Sequence, residues 1–425
     1  MIGQSVRSAG FWALDRIKGS PVRKRYNYLD ELYRTGASND KALKVLLEHA
    51  IRTVPCYKNI VAPDIHCFPV VSKEKYIEQF DSFRSSEYLA DEELHKVYTS
   101  GSTGNPFMAY QDREKLFWHR AGLISINNRI GWKLGDRFLF FRVWGGAHNA
   151  GKLSQIMSNT IPVDVINLNE EKMESMRQQI IKDKSLCLIL GYASALEKLS
   201  EYLAVKGDGP DEYGIRLIIS DSENLSSHAK ALIEKTFGCP VLNRYGNNEN
   251  GIIGLTANGS SSFEINYPEY YVEILKIDKD EPAPQGSMGR IVITDLYNKA
   301  FPFIRYDTGD LGIASEMKGE QCFKLQELSG RISSALKDIC GNVVGETAVT
   351  AFFEDVSGIG RYQVAQTGGK TYEIRVENTT PDLDGQLETR GKRAFGDEAI
   401  VKVVHVEKIA QGINGKYKIT SFEVN

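Results

Sequence analysis

Residues 98–106 read Tyr98-Thr99-Ser100-Gly101-Ser102-Thr103-Gly104-Asn105-Pro106. The two glycines let backbone N–H groups approach phosphate oxygens without a Cβ in the way, and the hydroxyls add hydrogen-bond donors. The segment therefore predicts a loop that wraps a polyphosphate, with ATP as the expected nucleotide. A Walker loop needs a Lys directly after its second glycine, and Asn105 stands there instead. We expect the cation that offsets the phosphates, and a metal ligand, elsewhere in the chain.

The sequence around this loop predicts an α/β fold. Residues 1–90 read as a helical scaffold, in which Lys41 to Thr53 repeats its apolar residues at helical spacing. After Val97, short apolar runs alternate with helical segments at 137–144, 186–190, 215–220 and 241–244. Strands that alternate with helices are typical of an α/β sheet. Segments 270–277 and 289–295 read as a hairpin or meander, which predicts a second, small β subdomain.

The length of 425 residues favours two domains. The composition changes to short strands after Gly330, so we expect an N-terminal domain over 1–329 and a C-terminal domain over 330–425. Near the chain end, Gly415-Lys416-Tyr417-Lys418 reads as an exposed turn that carries two lysines. This turn is a candidate source of the missing positive charge.

Charge and hydropathy argue against several partners. The 52 basic and 55 acidic residues give a net charge of −3, so no broad basic field is available for nucleic acid. No run approaches the roughly 20 apolar residues that a bilayer requires, and the charged start is unlike a signal peptide. We expect a cytoplasmic protein without an integral membrane segment. The six scattered cysteines are expected to be free, buried thiols.

Five segments occur in a fixed order along the chain: 99–106, 245–249 (Tyr-Gly-Asn-Asn-Glu), 305–310 (Arg-Tyr-Asp-Thr-Gly-Asp), 330–331 (Gly-Arg) and 415–416 (Gly-Lys). With these motifs the chain resembles the adenylate-forming (acyl-AMP) ligase superfamily, and within it the phenylacetate-CoA ligase and CapK-like branch. The resemblance covers about residues 90 to 420. It implies a large N-terminal domain of mixed sheets and helices and a small, mobile α+β C-terminal domain.

The resemblance also implies the roles of the nucleotide-binding residues. ATP would contact the loop residues Thr99, Ser100, Gly101, Ser102, Thr103 and Gly104. Glu249 would bind Mg²⁺, since a carboxylate beside a phosphate cradle is its expected protein ligand. Tyr245, Gly246, Asn247 and Asn248 would contact the adenine and the adenylate, although the family usually has Thr where Asn248 stands. Asp310 would accept hydrogen bonds from the ribose hydroxyls, and Arg331 would reach the nucleotide from the hinge.

Three further sets complete the predicted site. Ser222 and Glu223 resemble the segment that lines the adenine and acyl pocket, and they are equally suited to cap the following helix. Trp144 and His148 lie where relatives place an acyl-pocket loop. The candidate catalytic residues are Lys416, Glu249 and Thr103, with Lys418 as the alternative to Lys416. A single well-aimed donor such as Lys416 would be worth roughly 10²- to 10³-fold in rate.

The implied activity is activation of a carboxylic acid as acyl-AMP, with pyrophosphate release and transfer of the acyl group to an acceptor. Coenzyme A is one acceptor, and an amine or hydroxyl of a capsular polysaccharide precursor is another. A catalytically inactive ATP-binding homologue is a third possibility, which the departure at Asn248 keeps open. The missing Walker Lys disfavours a P-loop kinase. The identity of the acid stays open, and a homodimer is one option for the assembly.

Overall fold

The computed structural model describes residues 3–98, 107–144, 151–166, 168–353, 356, 359, 361–377, 381–409 and 418–424. The α-helices are α1 (Gln4–Ile17), α2 (Pro21–Thr35), α3 (Asp40–Thr53), α4 (Lys73–Glu78), α5 (Arg113–Arg129), α6 (Lys152–Ser158), α7 (Glu170–Lys182), α8 (Ala193–Ala204), α9 (Pro210–Tyr213), α10 (Ser227–Phe237), α11 (Glu346–Phe353) and α12 (Asp384–Phe395). The strands up to the end of the largest sheet are β1 (His95–Tyr98), β2 (Met108–Gln111), β3 (Arg137–Arg142), β4 (Thr160–Asp164), β5 (Leu186–Tyr192), β6 (Leu217–Asp221), β7 (Val241–Asn247), β8 (Gly251–Thr256), β9 (Phe263–Ile265), β10 (Tyr270–Leu275), β11 (Met288–Asp295), β12 (Tyr306–Lys318) and β13 (Gln321–Arg331). The remaining strands are β14 (Leu336–Lys337), β15 (Val343–Val344), β16 (Tyr362–Gly368), β17 (Thr371–Glu377), β18 (Ile400–Val406) and β19 (Thr420–Phe422).

The largest sheet has eleven strands in the order β10-β11-β12-β13-β9-β8-β7-β6-β5-β3-β4. Strands β4, β3, β5, β6 and β7 run parallel, and the helices between them make the crossover connections. From β8 onward every pairing in this sheet is antiparallel. The predicted α/β class is confirmed, and the mixed sheet places the carboxyl ends of the parallel strands along one edge.

Apolar side chains cover both faces of the parallel half. One core contains the alternate residues Leu139 and Phe141 of β3, together with Ile189 and Ile218 of the next two strands. The other contains Phe138, Leu188 and Leu242. Strands that are buried on both faces read as continuous apolar runs, which explains why the sequence predicts them so directly.

The predicted small β subdomain needs a correction. Its strands β10 and β11 do form the expected antiparallel hairpin, with Tyr270 opposite Asp295. They are not a separate sheet, because β13 pairs with β9 through Lys324↔Glu264 and Leu325↔Phe263, and β9 pairs with β8. Short strands such as β9, with three residues, leave too little periodicity in the sequence to reveal this connection.

After β13 the chain forms a second, smaller body. Four strands in the order β18-β17-β16-β19 carry α11 and α12. Their shared core runs from Leu336 to Ile419 and includes Val364, Ile374 and Phe395. This body contains both helices and strands, while a separate C-terminal domain, its boundary near residue 330 and its mobility remain predictions.

Two smaller expectations can be compared with the structure. No helix of the described residues is long and apolar enough to cross a membrane. All six cysteines are free, as expected, but Cys56, Cys67 and Cys340 are exposed, and only Cys239 and Cys322 are buried. The expectation of buried thiols was therefore wrong for half of them, because these three lie in turns and short 3-10 segments at the surface.

Candidate functional site

Several predicted site residues lie outside the described part of the chain. They are Thr99, Ser100, Gly101, Ser102, Thr103, Gly104, His148 and Lys416. Their roles stay predictions. The segments that flank the first six are described: β1 ends at Tyr98, β2 begins at Met108, and these two residues are paired partners in the antiparallel ladder.

The end of β1 is joined to the segment that follows β7. The Asn248 side-chain amide donates to the Tyr98 carbonyl oxygen at 3.0 Å. The Gln111 side chain of β2 donates to the Glu249 carbonyl oxygen at 3.1 Å. Two predicted motifs, 150 residues apart in sequence, therefore meet at the base of the glycine-rich segment. Asn248 makes this contact at the position where the resemblance expects Thr.

Asp310 lies between an aromatic hydroxyl and a guanidinium. The Tyr245 hydroxyl donates to Asp310 Oδ2 at 2.9 Å, and Arg331 Nε lies 3.2 Å from Asp310 Oδ1. Burial raises the pKa of Asp310, against the opposing effect of Arg331, while the charge of Asp310 raises the pKa of Arg331. Asp310 and Arg331 are also paired across β12 and β13. The two residues predicted for the ribose and the hinge are thus direct partners. Tyr245 is only 5% exposed, so little of its ring is open to a base in this conformation.

Glu249 is a buried carboxyl in the middle of the turn between β7 and β8. Its Oε1 accepts a hydrogen bond from the Tyr306 hydroxyl at 2.9 Å. Burial raises its pKa, and the positive charges of Lys73 and Arg331 act in the opposite direction. A divalent cation would favour the ionised form in the same way. Sequence reasoning did not assign Tyr306 or Lys73; the first lies inside a quoted motif, whereas nothing in the sequence around Lys73 indicates this location.

The rest of this turn has a structural explanation. A Cβ on Gly246 would lie 2.5 Å from the Gly251 carbonyl oxygen, so a side chain does not fit there. The Asn247 Oδ1 accepts from the Asn250 backbone N–H at 2.8 Å and closes the turn. Gly246 and Asn247 hold Glu249 in place through the backbone.

Ser222 and Glu223 follow β6 at the same edge of the sheet. Ser222 has a φ of 69°, a left-handed conformation that costs a non-glycine residue of the order of 1 kcal/mol and is enriched at functional sites. Glu223 accepts a hydrogen bond from the Ser194 backbone N–H at 2.8 Å. Neither residue caps the next helix: Ser226 does, by accepting from the Ala229 N–H. The helix-cap alternative was therefore wrong for these two residues.

Trp144 lies just beyond β3. Its indole Nε1 donates to the carbonyl oxygens of Phe140 at 3.2 Å and Val163 at 3.1 Å, which fixes the ring at the carboxyl edge of the sheet. The ring is partly exposed. The role of Trp144 in an acyl pocket stays a prediction.

The C-terminal body touches the site through Glu346, the first residue of α11. Its carboxyl bonds to the Asn224 side chain, next to Glu223, and Lys418 lies close enough to act on it electrostatically. Burial raises the pKa of Glu346 to about 7. This contact brings the chain beyond residue 330 against the turn after β6.

The chain was compared with known proteins. No family model matches it. It is 25% identical over 287 residues to a phenylacetate-coenzyme A ligase of Pseudomonas putida, covering 63% of this chain and 64% of that protein. It is 23% identical over 318 residues to the protein CapK of Staphylococcus aureus, covering 70% of this chain and 67% of that one. The chain thus spans just under two thirds of the first relative.

The fold is shared with a 2-hydroxyisobutyryl-CoA ligase solved in its postadenylation state in complex with 2-HIB-AMP. The TM-score is 0.68 at 17% identity, over 91% of this chain and 88% of that one. The same order of motifs, the sequence similarities and the shared fold agree with one another. These similarities support the adenylate-forming ligase superfamily, with sequence similarity to phenylacetate-coenzyme A ligases and CapK and a fold shared with a CoA ligase.

Proposed function

We propose that this chain is an ATP-dependent ligase that activates a carboxylic acid as acyl-AMP, releases pyrophosphate and transfers the acyl group to coenzyme A. The observation that carries the proposal is the convergence of Glu249, Asp310 and Arg331 beside the end of β1. These are the residues that an AMP-forming enzyme needs for metal, ribose and phosphate. The shared fold with a CoA ligase in complex with an acyl-AMP supports the same chemistry.

The geometry suggests how the described residues act. Asp310 is held by Tyr245 and Arg331 and keeps lone pairs that ribose hydroxyls can use. Arg331 lies within electrostatic range of Glu249, so its charge can help to neutralise phosphate oxygens there. Lys73 adds a second positive charge near the same carboxyl. Catalysis would then come from positioning and charge, with the substrate carboxylate as the nucleophile on the α-phosphorus.

Mg²⁺ fits this site through Glu249. The described residues contain no group of three or more His, Cys, Asp or Glu side chains that could hold a metal. Mg²⁺ is commonly bound by one or two carboxylates together with substrate phosphates and water, so one buried carboxyl is sufficient. The ion would shield the charge of the leaving pyrophosphate.

The acceptor has a second candidate. The CapK-like resemblance implies an amine or hydroxyl of a capsular polysaccharide precursor as the acceptor in place of coenzyme A. Rotation of the C-terminal body for the second half-reaction, a cytoplasmic location and a homodimer are parts of the same proposal.

The test is carboxylate-dependent exchange of labelled pyrophosphate into ATP, over aryl, aliphatic, amino and uronic acids. We expect exchange with at least one acid, and a loss of roughly 10²- to 10³-fold in Lys416→Ala. Lys418→Ala, two residues further on, tests the alternative lysine: a comparable loss there, with exchange retained in Lys416→Ala, would move the catalytic role to Lys418. ATP binding without exchange for any acid would contradict the proposal and favour an inactive homologue. Adding coenzyme A or an amine acceptor afterwards identifies the second half-reaction.

A further inference from the structure

Strand β3 begins and ends with an arginine, and the two have different surroundings. Arg137 donates from Nε to Asp183 Oδ2 at 2.7 Å and from a terminal nitrogen to Asn159 Oδ1 at 3.0 Å. The Arg142 side chain forms no hydrogen bond or ion pair with any residue that the structure describes, and its Nε is buried without a partner. Buried polar groups nearly always have a partner, so Arg142 requires an explanation.

Two carboxylates on the neighbouring strands of Arg142, Asp164 of β4 and Asp221 of β6, are already engaged by other donors. Asp164 is its register partner on β4, yet its Oδ1 accepts from the backbone N–H groups of Trp144 at 3.4 Å and Ile166 at 3.3 Å. Asp221 is held by both Nε and a terminal nitrogen of Arg244, at 3.1 and 2.7 Å. Burial lowers the pKa of Arg142, but a guanidinium remains charged in proteins. Among the residues that the structure describes, no carboxylate forms an ion pair with the Arg142 guanidinium, and Asp221 acts on it only electrostatically.

The location of Arg142 is suited to a ligand. It is the last residue of β3, at the carboxyl edge of the parallel strands, where open α/β sheets bind their ligands. Its guanidinium lies 5.3 Å from the ring centre of Phe140 and 5.7 Å from that of Trp144. Two rings hold the guanidinium by cation–π contacts and use none of its N–H groups. Those groups remain available for the planar, paired hydrogen bonds that Arg makes with a carboxylate.

We propose that Arg142 determines substrate specificity by binding a second anionic group of the acid, in addition to the carboxylate that is activated. The inference rests on the proposed function and narrows the class of acid substrates to those with a second anionic group, such as dicarboxylates. A hydrogen-bonded charge of this kind is worth about 10- to 100-fold in affinity.

The test compares matched acids with and without a second carboxylate, for example carboxyphenylacetate with phenylacetate and succinate with butyrate. In pyrophosphate exchange we expect the wild type to prefer the dicarboxylate. Arg142→Gln should lower kcat/KM for the dicarboxylate about 10- to 100-fold, mainly through KM, and change the monocarboxylate by less than about threefold. Arg142→Lys should keep part of the preference. Arg137→Gln, at the paired end of the same strand, is the control and should keep the full preference.

A wild-type preference for the monocarboxylate would overturn the inference. So would an equal loss for both acids in Arg142→Gln, which would indicate contact with the reacting carboxylate or a structural role. If no acid supports exchange, the proposed function fails, and calorimetric titration with the dicarboxylate decides the role of Arg142 separately. Tighter binding to the wild type than to Arg142→Gln would support it, and equal or absent binding would overturn it.

Discussion

Gly122 in the interior of α5 provides the sharpest test of the packing. A Cβ at this position would lie 1.7 Å from Glu269 Oε2, 2.2 Å from its carboxyl carbon and 2.6 Å from Oε1. Glu269 is buried, and its Oε2 accepts a hydrogen bond from the Asn266 side chain at 2.7 Å. Gly122→Ala must therefore displace a buried carboxyl group.

The magnitude follows from three contributions. Alanine in a helix interior is favoured over glycine by about 1 kcal/mol. Overpacking of a tight core costs about 1–3 kcal/mol, and loss of a hydrogen bond to a buried charged group costs about 1.5–3 kcal/mol. The net expectation is a destabilisation of about 1.5–5 kcal/mol, opposite in sign to the helix preference alone.

Thermal unfolding followed by circular dichroism measures the effect as a lower midpoint. Gly10→Ala in α1 is the matched control, because no atom lies within 4 Å of a Cβ built at that position. It should be neutral or raise the midpoint. In a Glu269→Ala background the space next to Gly122 is free, and Gly122→Ala should lose most of its cost. The reasoning is refuted if Gly122→Ala behaves like Gly10→Ala, or if its cost is the same with and without the Glu269 side chain.

Two further predictions concern the hydrogen bond to Glu249 and the titration of Glu269. Tyr306→Phe removes the hydroxyl that donates to Glu249. We expect pyrophosphate exchange to fall about tenfold and to require a higher Mg²⁺ concentration. An unchanged dependence of the exchange rate on Mg²⁺ concentration would contradict this prediction. Burial raises the pKa of Glu269 to about 7, against about 4.3 in the unfolded chain, so the fold loses stability as the pH rises from about 4.5 to 7. Glu269→Gln has no carboxyl group that titrates at this position. Its free energy of unfolding relative to the wild type should therefore increase by up to about 3 kcal/mol over that pH range. Unfolding midpoints of both proteins at pH 5 and 8 measure this change. A constant difference at the two pH values would argue against it.

Local patterns predicted the elements that have strong periodicity. Helix α3 begins one residue before the predicted Lys41 and ends at the predicted Thr53. The run at 186–190 forms the first five residues of β5, and the hairpin at 270–295 forms as expected. In each case a continuous or periodic set of apolar residues specifies both the element and its buried face.

The contacts within the site could not be predicted in the same way. The Asn248 side chain meets Tyr98, and Tyr306 meets Glu249, because strands that are distant in sequence are adjacent in the sheet. The direction of each side chain depends on that packing, which a single sequence does not contain. Likewise, Arg142 and Arg137 look alike in sequence, and only the positions of their neighbours distinguish them.

The joint between the two halves of the eleven-stranded sheet is unusual in how it is held. Only the pairs Lys324↔Glu264 and Leu325↔Phe263 connect β13 to β9. One apolar core nevertheless crosses the joint, with Ile253 on one side and Ile291 on the other. The stabilisation that comes from burying apolar surface weakens on cooling. The long hydrogen-bonded ladders within each half do not depend on it in the same way. Strands β10–β13 can thus unfold as a cooperative unit of their own. Cooling is the condition under which they would separate from the rest of the sheet.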